Sequence, residues 1–188
     1  MKNITITNNR RVTVWLWPKA TLGAEFAVLF VWLRHTECAY YTESSMKRVL
    51  FLCSANYYRS RFAEHLFNHL VSVAGLDWQA DSRGLAVGRW GHLGCMSQAA
   101  IDVLQAFGVA INGEHRDPMQ VHLNDLKNAD LVVALKELEH RPEIRRQFPD
   151  WEDQIEFWDV HDLDCATPEE ALPYLKEKVQ TLVKSLRS

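Results

Sequence analysis

An α/β fold, with a parallel sheet covered by helices on both faces, is the architecture this sequence predicts. Three observations point to it. Residues 49–53, Val49-Leu50-Phe51-Leu52-Cys53, are wholly apolar, as a strand buried on both faces must be. Residues 59–73 place Phe62, Ala63, Leu66, Phe67 and Leu70 at helical spacing. From there to the end, strand-like and helix-like stretches alternate, the pattern of βαβ units. Four strands are read in this way, which predicts a three-layer α/β/α arrangement.

The elements follow in order. The first strand ends at Cys53, a polar loop follows, and the first helix begins at Arg59. Residues 78–82 read as the second strand. Residues 83–95 hold four glycines, Gly84, Gly88, Gly91 and Gly94, and read as a loop. Ser97 is a suitable N-cap for a helix carrying Ala100, Ile101, Val103, Leu104 and Phe107, and Gly108 ends it. Asp117-Pro118 reads as a turn. Residues 129–134 read as the third strand, 136–147 as a helix interrupted near Pro142, and 154–158 as the fourth strand. Thr167 caps a last helix with Pro168 at its first position, running to about Leu186. Neither an internal repeat nor a low-complexity tract is found.

Residues 1–45 are of another kind, an N-terminal extension of uncertain structure. Stretches 4–7 and 12–15 alternate like strands. The apolar run 26–33 is eight residues long, too short for a bilayer, which takes about 20. Arg10 and Arg11 suit a signal peptide, but no small-residue cleavage site follows Leu33. Met46-Lys47-Arg48 reads as a natural start, so the domain is expected to span 46–188.

The composition is that of a globular protein, with 47% apolar and 24% charged residues and a formal charge of −3. That charge argues against a general nucleic-acid or membrane-surface binder, which carries a basic excess or stripe. The four cysteines, Cys38, Cys53, Cys95 and Cys165, form no C-x-x-C pair. They suit neither a structural zinc site nor a secreted disulfide framework, and free thiols in the cytoplasm are expected.

The chemistry concentrates in Cys53-Ser54-Ala55-Asn56-Tyr57-Tyr58-Arg59-Ser60, between the first strand and the first helix. A helix start leaves its first N–H groups unpaired, and the helix dipole adds partial positive charge, so such a loop is an anion site with phosphate as its natural guest. A cysteine at its mouth has its thiolate stabilised. Arg59 can curl back and grip two phosphate oxygens with its planar fork, which a lysine does less well. Ser60 can donate its hydroxyl to the sulfur. Asn56 tolerates a left-handed backbone and can brace the loop. A cysteine closing an apolar strand is also a common buried hydrophobe. The preceding strand, the Asn and the Ser after the Arg favour the catalytic reading: thiolate attack on phosphorus.

Residues 47–64 resemble the active-site segment of the low-molecular-weight protein tyrosine phosphatases, and the likeness extends more loosely from Met46 to the C-terminus. Asp81-Ser82-Arg83-Gly84, Met96-Ser97, Gly108-Val109 and Ala129-Asp130-Leu131-Val132 match successive segments of that family. The resemblance implies a four-stranded parallel sheet with helices on both sides. It implies hydrolysis of phosphotyrosine in proteins, or of small aryl phosphates, through a phosphocysteine, without a metal or other cofactor and with inorganic phosphate released. Cys53 and Arg59 are then catalytic, residues 54–60 bind phosphate, and Asn56, Ser60 and Ser82 support them. Two departures stand out. The family often has a second cysteine before the Arg, where this chain has Tyr58, and Ala55 and Tyr57 replace residues usually smaller or aliphatic. Tyr57 or Tyr58 is a candidate to line the cleft.

The family's general acid lies in an Asp-Pro loop after the fourth strand. This chain has Asp159-Val160-His161-Asp162-Leu163-Asp164 there, with no Asp-Pro. Asp162 matches best by spacing; Asp159 and Asp164 remain candidates. His161 is either a tuner of the acid or a surface residue. Trp90 is either a platform for the substrate ring or a packing residue, and His92 has no role. Two alternatives stay open: arsenate reduction, for which Cys95 and Cys165 would have to relay oxidation, and a binding module that holds a phosphorylated partner without turnover.

Overall fold

A computed structural model describes residues 46–91, 94–111, 116–161 and 167–187. The expectations for residues 1–45, and those for His92, Asp162, Asp164 and Cys165, lie outside the described residues.

Four parallel strands, β1 (Lys47–Cys53), β2 (Trp78–Gly84), β3 (Leu131–Ala134) and β4 (Glu156–Phe157), form a sheet in the order β2-β1-β3-β4. Among the described residues five α-helices accompany them: α1 (Arg59–Ala74), α2 (Gln98–Ala106), α3 (Leu123–Lys127), α4 (Glu137–Gln147) and α5 (Pro168–Ser185). The period of two along β1 builds the layers. Val49, Phe51 and Cys53 face one core with Phe62, Leu66, Phe67, Leu104, Leu172 and Val179, drawn from α1, α2 and α5. Leu50 and Leu52 face the other with Val121, Leu126 and Ile144, around α3 and α4. The apolar run thus marks a central strand covered on both faces.

The chain moves from β1 to β2 on one side, then crosses to β3 on the other. The crevice outside the carboxyl ends of β1 and β3 is where such sheets bind ligands. Cys53, the last residue of β1, lies there. Beyond it, Leu85 and Ala86 donate from their amides to the carbonyls of Cys53 and Ser54, both at 2.9 Å, so the second strand's path extends the ladder into the loop.

Several elements differ from expectation. The helix from Glu137 to Gln147 runs through Pro142 without a break. The carbonyl that Pro142 leaves without a helical partner belongs to Leu138, a residue 82% exposed, so water can serve it. The fourth strand is only two residues long, because Pro149–Gln154 forms a 3-10 helix before it. Helix α3 was not anticipated; five residues are too few for a periodic signal. Asp117-Pro118 is not a turn but irregular chain leading into Gln120, which bridges to Gly84 in parallel. Ser97 occupies the N-cap of α2 without a side-chain capping bond, and its amide donates instead to Tyr57 O at 3.0 Å. Thr167 and Pro168 begin α5 as expected, with a capping box closed by Glu170. Among the described residues no helix is long and apolar enough to cross a membrane.

Candidate active site

The loop between β1 and α1 is wound around the sulfur of Cys53. The Asn56 amide donates to Sγ at 3.2 Å, and Sγ lies 2.9 Å from Ser60 Oγ. Asn56 is the one non-glycine described residue with a left-handed backbone, at φ 52°. That turn brings its N–H back onto the sulfur three positions earlier. The first turn of α1 holds no acidic residue, and its N-cap Tyr58 makes no side-chain capping bond, so no side chain of the helix's own competes for an anion there.

The neighbours of Ser60 leave its hydroxyl able to donate to the sulfur. Asn56 Oδ1 accepts from Met119 N and from Arg116 Nη1, both at 2.9 Å and both groups that can only donate. This fixes the amide, so Nδ2 faces Ser60 Oγ at 3.1 Å and Ser82 Oγ at 2.8 Å and donates to both. With its oxygen receiving from Asn56, Ser60 has its own proton to give to the sulfur. Ser82 in turn donates to Glu64, on the next turn of α1. Asn56, Ser60 and Ser82, expected to support the loop, lie in one connected network of hydrogen bonds.

Behind it stands a set of charges that the sequence reading did not single out. Arg116 also donates from Nη2 to Glu64 Oε2 at 3.1 Å, Asp81 Oδ1 at 3.0 Å and Ser82 O at 2.8 Å. Arg61, nearly fully buried, pairs with the same Glu64 oxygen at 2.9 Å. Burial opposes ionisation of Asp81, but hydrogen bonds from Arg83 and the Ser82 amide, with the charges of Arg83 and Arg116, hold its carboxyl below the usual range. Burial lowers the Arg116 pKa against the attraction of Glu64 and Asp81, yet a guanidinium stays charged.

Arg59 is turned inward, 1% exposed, with Nη1 donating to Val160 O at 3.1 Å and Nη2 to Glu139 Oε2 at 2.9 Å. Its guanidinium therefore ties the loop both to α4 and to the segment that leads to Asp162. Ser54, the first residue after the sulfur, contacts Glu139 Oε2 at 3.5 Å and His140 Nε2 at 3.3 Å. Gly84 permits the loop to lie where it does. A Cβ there would stand 2.9 Å from Ser54 O and 3.0 Å from Asn56 N.

Among the acid candidates, Asp159 alone is described. Lys136 Nζ contacts its carboxylate at 2.8 Å, and this hydrogen bond and charge hold its pKa below the usual value. Such a group is a poor proton donor, which argues against Asp159 as the acid. His161 is also held by Lys136, Nζ to Nδ1 at 2.8 Å.

A cleft of about 310 Å³ opens beside the loop, lined by Ala55, Val87, Gly88, Trp90, Gly91, Asp117 and Pro118. Trp90 is 53% exposed on its wall, which fits a platform better than a packing residue. Tyr58 instead lies in the core, and Tyr57 packs partly buried against it, so neither is among the residues lining this cleft. Cys95 donates to Asp117 Oδ1 at 3.3 Å, and this bond to a carboxylate raises its pKa, which makes it a poor thiol relay. Among the described residues no group of three or more His, Cys, Asp or Glu could hold a metal ion.

A family model described as low molecular weight phosphotyrosine protein phosphatase matches residues 48–187. Comparison with curated proteins finds no match. Among solved structures, a low molecular weight protein tyrosine phosphatase from T. tengcongensis is similar at 30% identity, covering 74% of this chain and 97% of that one, with a TM-score of 0.61. YfkJ from Bacillus subtilis is similar at 27% identity, over 76% of this chain and 96% of that one, with a TM-score of 0.62. SP-PTP, a low molecular weight protein tyrosine phosphatase from Streptococcus pyogenes, shares the fold at 19% identity, over 76% of this chain and 95% of that one, with a TM-score of 0.64.

Proposed function

The chain belongs to the low molecular weight phosphotyrosine protein phosphatase family, a class of cysteine-dependent phosphatases, and from that premise we propose that it hydrolyses phosphotyrosine in proteins, or small aryl phosphates, through a phosphocysteine on Cys53. The observation that carries this reading is the sulfur of Cys53, which receives the Asn56 amide and faces the Ser60 hydroxyl at the mouth of α1. These donors stabilise a thiolate in the ground state and accept it again as the leaving group when the intermediate breaks down.

The cycle balances with two displacements. The Cys53 thiolate forms a bond to phosphorus as the bond from phosphorus to the aryl oxygen breaks, and that oxygen takes a proton from the acid, assigned to Asp162. The resulting carboxylate removes a proton from water as the water attacks the phosphocysteine. Sulfur leaves as thiolate, and inorganic phosphate is the product. Arg59 and the loop amides of residues 54–60 grip the equatorial oxygens in both steps. No metal is assigned a role. A substrate ring lies in the cleft against Trp90. Cys53 and Cys95 are free thiols, which suits a cytoplasmic setting where a nucleophilic cysteine stays reduced.

The test is hydrolysis of p-nitrophenyl phosphate, with competitive inhibition by vanadate and no effect of chelators. Phosphate binding without turnover would instead favour a module that holds phosphorylated partners. Arsenate reduction is not favoured, since Cys95 is bound to Asp117 and no close pair of cysteines occurs in the sequence.

A further inference from the structure

Accepting Arg59 as the oxyanion clamp, we propose that Glu139 is a positioning residue for its guanidinium and that the same carboxylate, by its charge, limits how tightly the site keeps an oxyanion product.

The geometry gives Glu139 an unusual place. A clamp arginine needs a fixed plane, because its selectivity for a phosphoryl group comes from parallel N–H bonds. Among the described residues, Glu139 Oε2 holds Nη2 at 2.9 Å and Val160 O holds Nη1 at 3.1 Å, from separate parts of the chain. A bond to a neutral carbonyl orients the fork; a bond to a carboxylate also brings a full negative charge to the rim of the anion site. That charge is not remote from the loop, because Oε2 also accepts from Ser54 Oγ at 3.5 Å, one residue beyond the nucleophile. Nor is it sealed off: one-third of the Glu139 side chain is exposed.

The neighbouring histidine does not cancel this charge. His140 Nδ1 accepts the Lys136 amide at 3.0 Å, so the ring proton is on Nε2, facing Ser54 Oγ at 3.3 Å and Glu139 Oε2 at 3.6 Å. Burial, then the charges of Arg59 and Lys136, push its pKa down to about 3, so the ring stays neutral at working pH. Lys136 itself is directed to Asp159 and His161. The guanidinium is therefore shared between an internal carboxylate and the incoming phosphoryl group. In the empty site Glu139 keeps Arg59 in place; with phosphate bound, two like-charged groups flank one cation. The arrangement exchanges tight retention of product for a preorganised clamp.

Two substitutions separate the two parts of the claim. Glu139→Gln keeps the shape and an acceptor oxygen for Arg59 but removes the charge. Glu139→Ala removes both. Inorganic phosphate binding, read by calorimetry on the full chain, needs no turnover, so it tests the charge effect apart from the catalytic reading. Glu139→Gln is expected to bind phosphate about 3- to 10-fold more tightly than wild type and to lower KM for p-nitrophenyl phosphate, with kcat falling less than about threefold. Glu139→Ala is expected to lower kcat by about 10- to 100-fold, because the clamp loses an anchor. Unchanged or weaker phosphate binding in Glu139→Gln overturns the charge effect, as does a wild-type chain that binds no phosphate. Wild-type kcat in a folded Glu139→Ala chain overturns the positioning role. If the Ala variant does not fold, a loss of kcat of about 10-fold or more in the Gln variant serves the same purpose, since Gln preserves the anchor. A wild-type chain that binds phosphate but hydrolyses nothing defeats the phosphatase reading alone and leaves the calorimetric comparison decisive.

Discussion

Arg116 donates to Asn56 Oδ1 at 2.9 Å, across a sequence separation of 60, and together with the Met119 amide decides which way the amide of Asn56 faces. Everything between that guanidinium and the nucleophile is then determined in turn. Asn56 Nδ2 donates to Ser60, and Ser60 is left to donate to Cys53. Replacing Arg116 with Ala should leave the Asn56 amide held by the Met119 N–H alone and loosen its hold on the Ser60 hydroxyl. A loss of kcat of about 10²-fold is expected, with the fold kept, since Glu64 retains Arg61. Steady-state kinetics beside a circular dichroism melt would check it. Near wild-type turnover would break the chain of bonds drawn here.

The nucleophile and its clamp are tested together. Cys53→Ser should abolish turnover of p-nitrophenyl phosphate and keep phosphate binding, because the amides and Arg59 remain. Arg59→Lys should lose most of both: one ammonium cannot satisfy Val160 O and Glu139 and still grip phosphate with a planar fork. Kinetics and calorimetry on the two variants give four numbers. Turnover surviving in Cys53→Ser would remove the sulfur from the mechanism.

The choice of acid can be made by leaving group. Protonation matters most when the departing oxygen is strongly basic. Asp162→Ala should slow an alkyl-substituted phenyl phosphate much more than p-nitrophenyl phosphate. Asp159→Ala should not produce that difference, because Lys136 already holds its carboxylate in the ionised form. The reverse pattern would transfer the role to Asp159.

Gly84 carries a steric prediction. A methyl group there would stand within 3.0 Å of two backbone atoms of the phosphate loop, the Ser54 carbonyl and the Asn56 amide. Backbone cannot swing aside as a side-chain tip does. Gly84→Ala should cost about 1–3 kcal/mol in urea denaturation and depress kcat more than it depresses stability-matched controls. A variant as active and as stable as wild type would mean the loop has room that the distances deny.

The buried ring of His140 predicts a pH dependence of stability. Its pKa falls from 6.5 to about 3 on folding, through burial first and the charges of Arg59 and Lys136 next. Between those values the unfolded chain binds the proton and the folded chain does not, so stability rises with pH. The contribution is complete above about pH 6.5 and is lost progressively as pH falls towards 3. Its size is on the order of a few kcal/mol. Urea midpoints from pH 4.5 to 8 should fall more steeply on the acid side in wild type than in His140→Gln. Parallel curves would contradict the neutral ring.

What the sequence determined by itself was local and periodic. An apolar run at 49–53 can only be a strand covered on both faces, Thr167-Pro168 can hardly do other than begin a helix, and a cysteine followed six positions later by arginine at a strand-to-helix junction carries its own electrostatics. These follow from neighbours within a turn or two, where side-chain period and capping chemistry act. The tertiary structure alone brought Arg116 and the α4 residues Glu139 and His140 to the loop, because they are remote from it along the chain and have ordinary neighbourhoods there. It also turned Tyr58 into the core and set Asp117-Pro118 on the wall of the cleft. Polar groups taken out of water must find partners wherever the fold supplies them, and which distant residue does so depends on packing rather than on spacing.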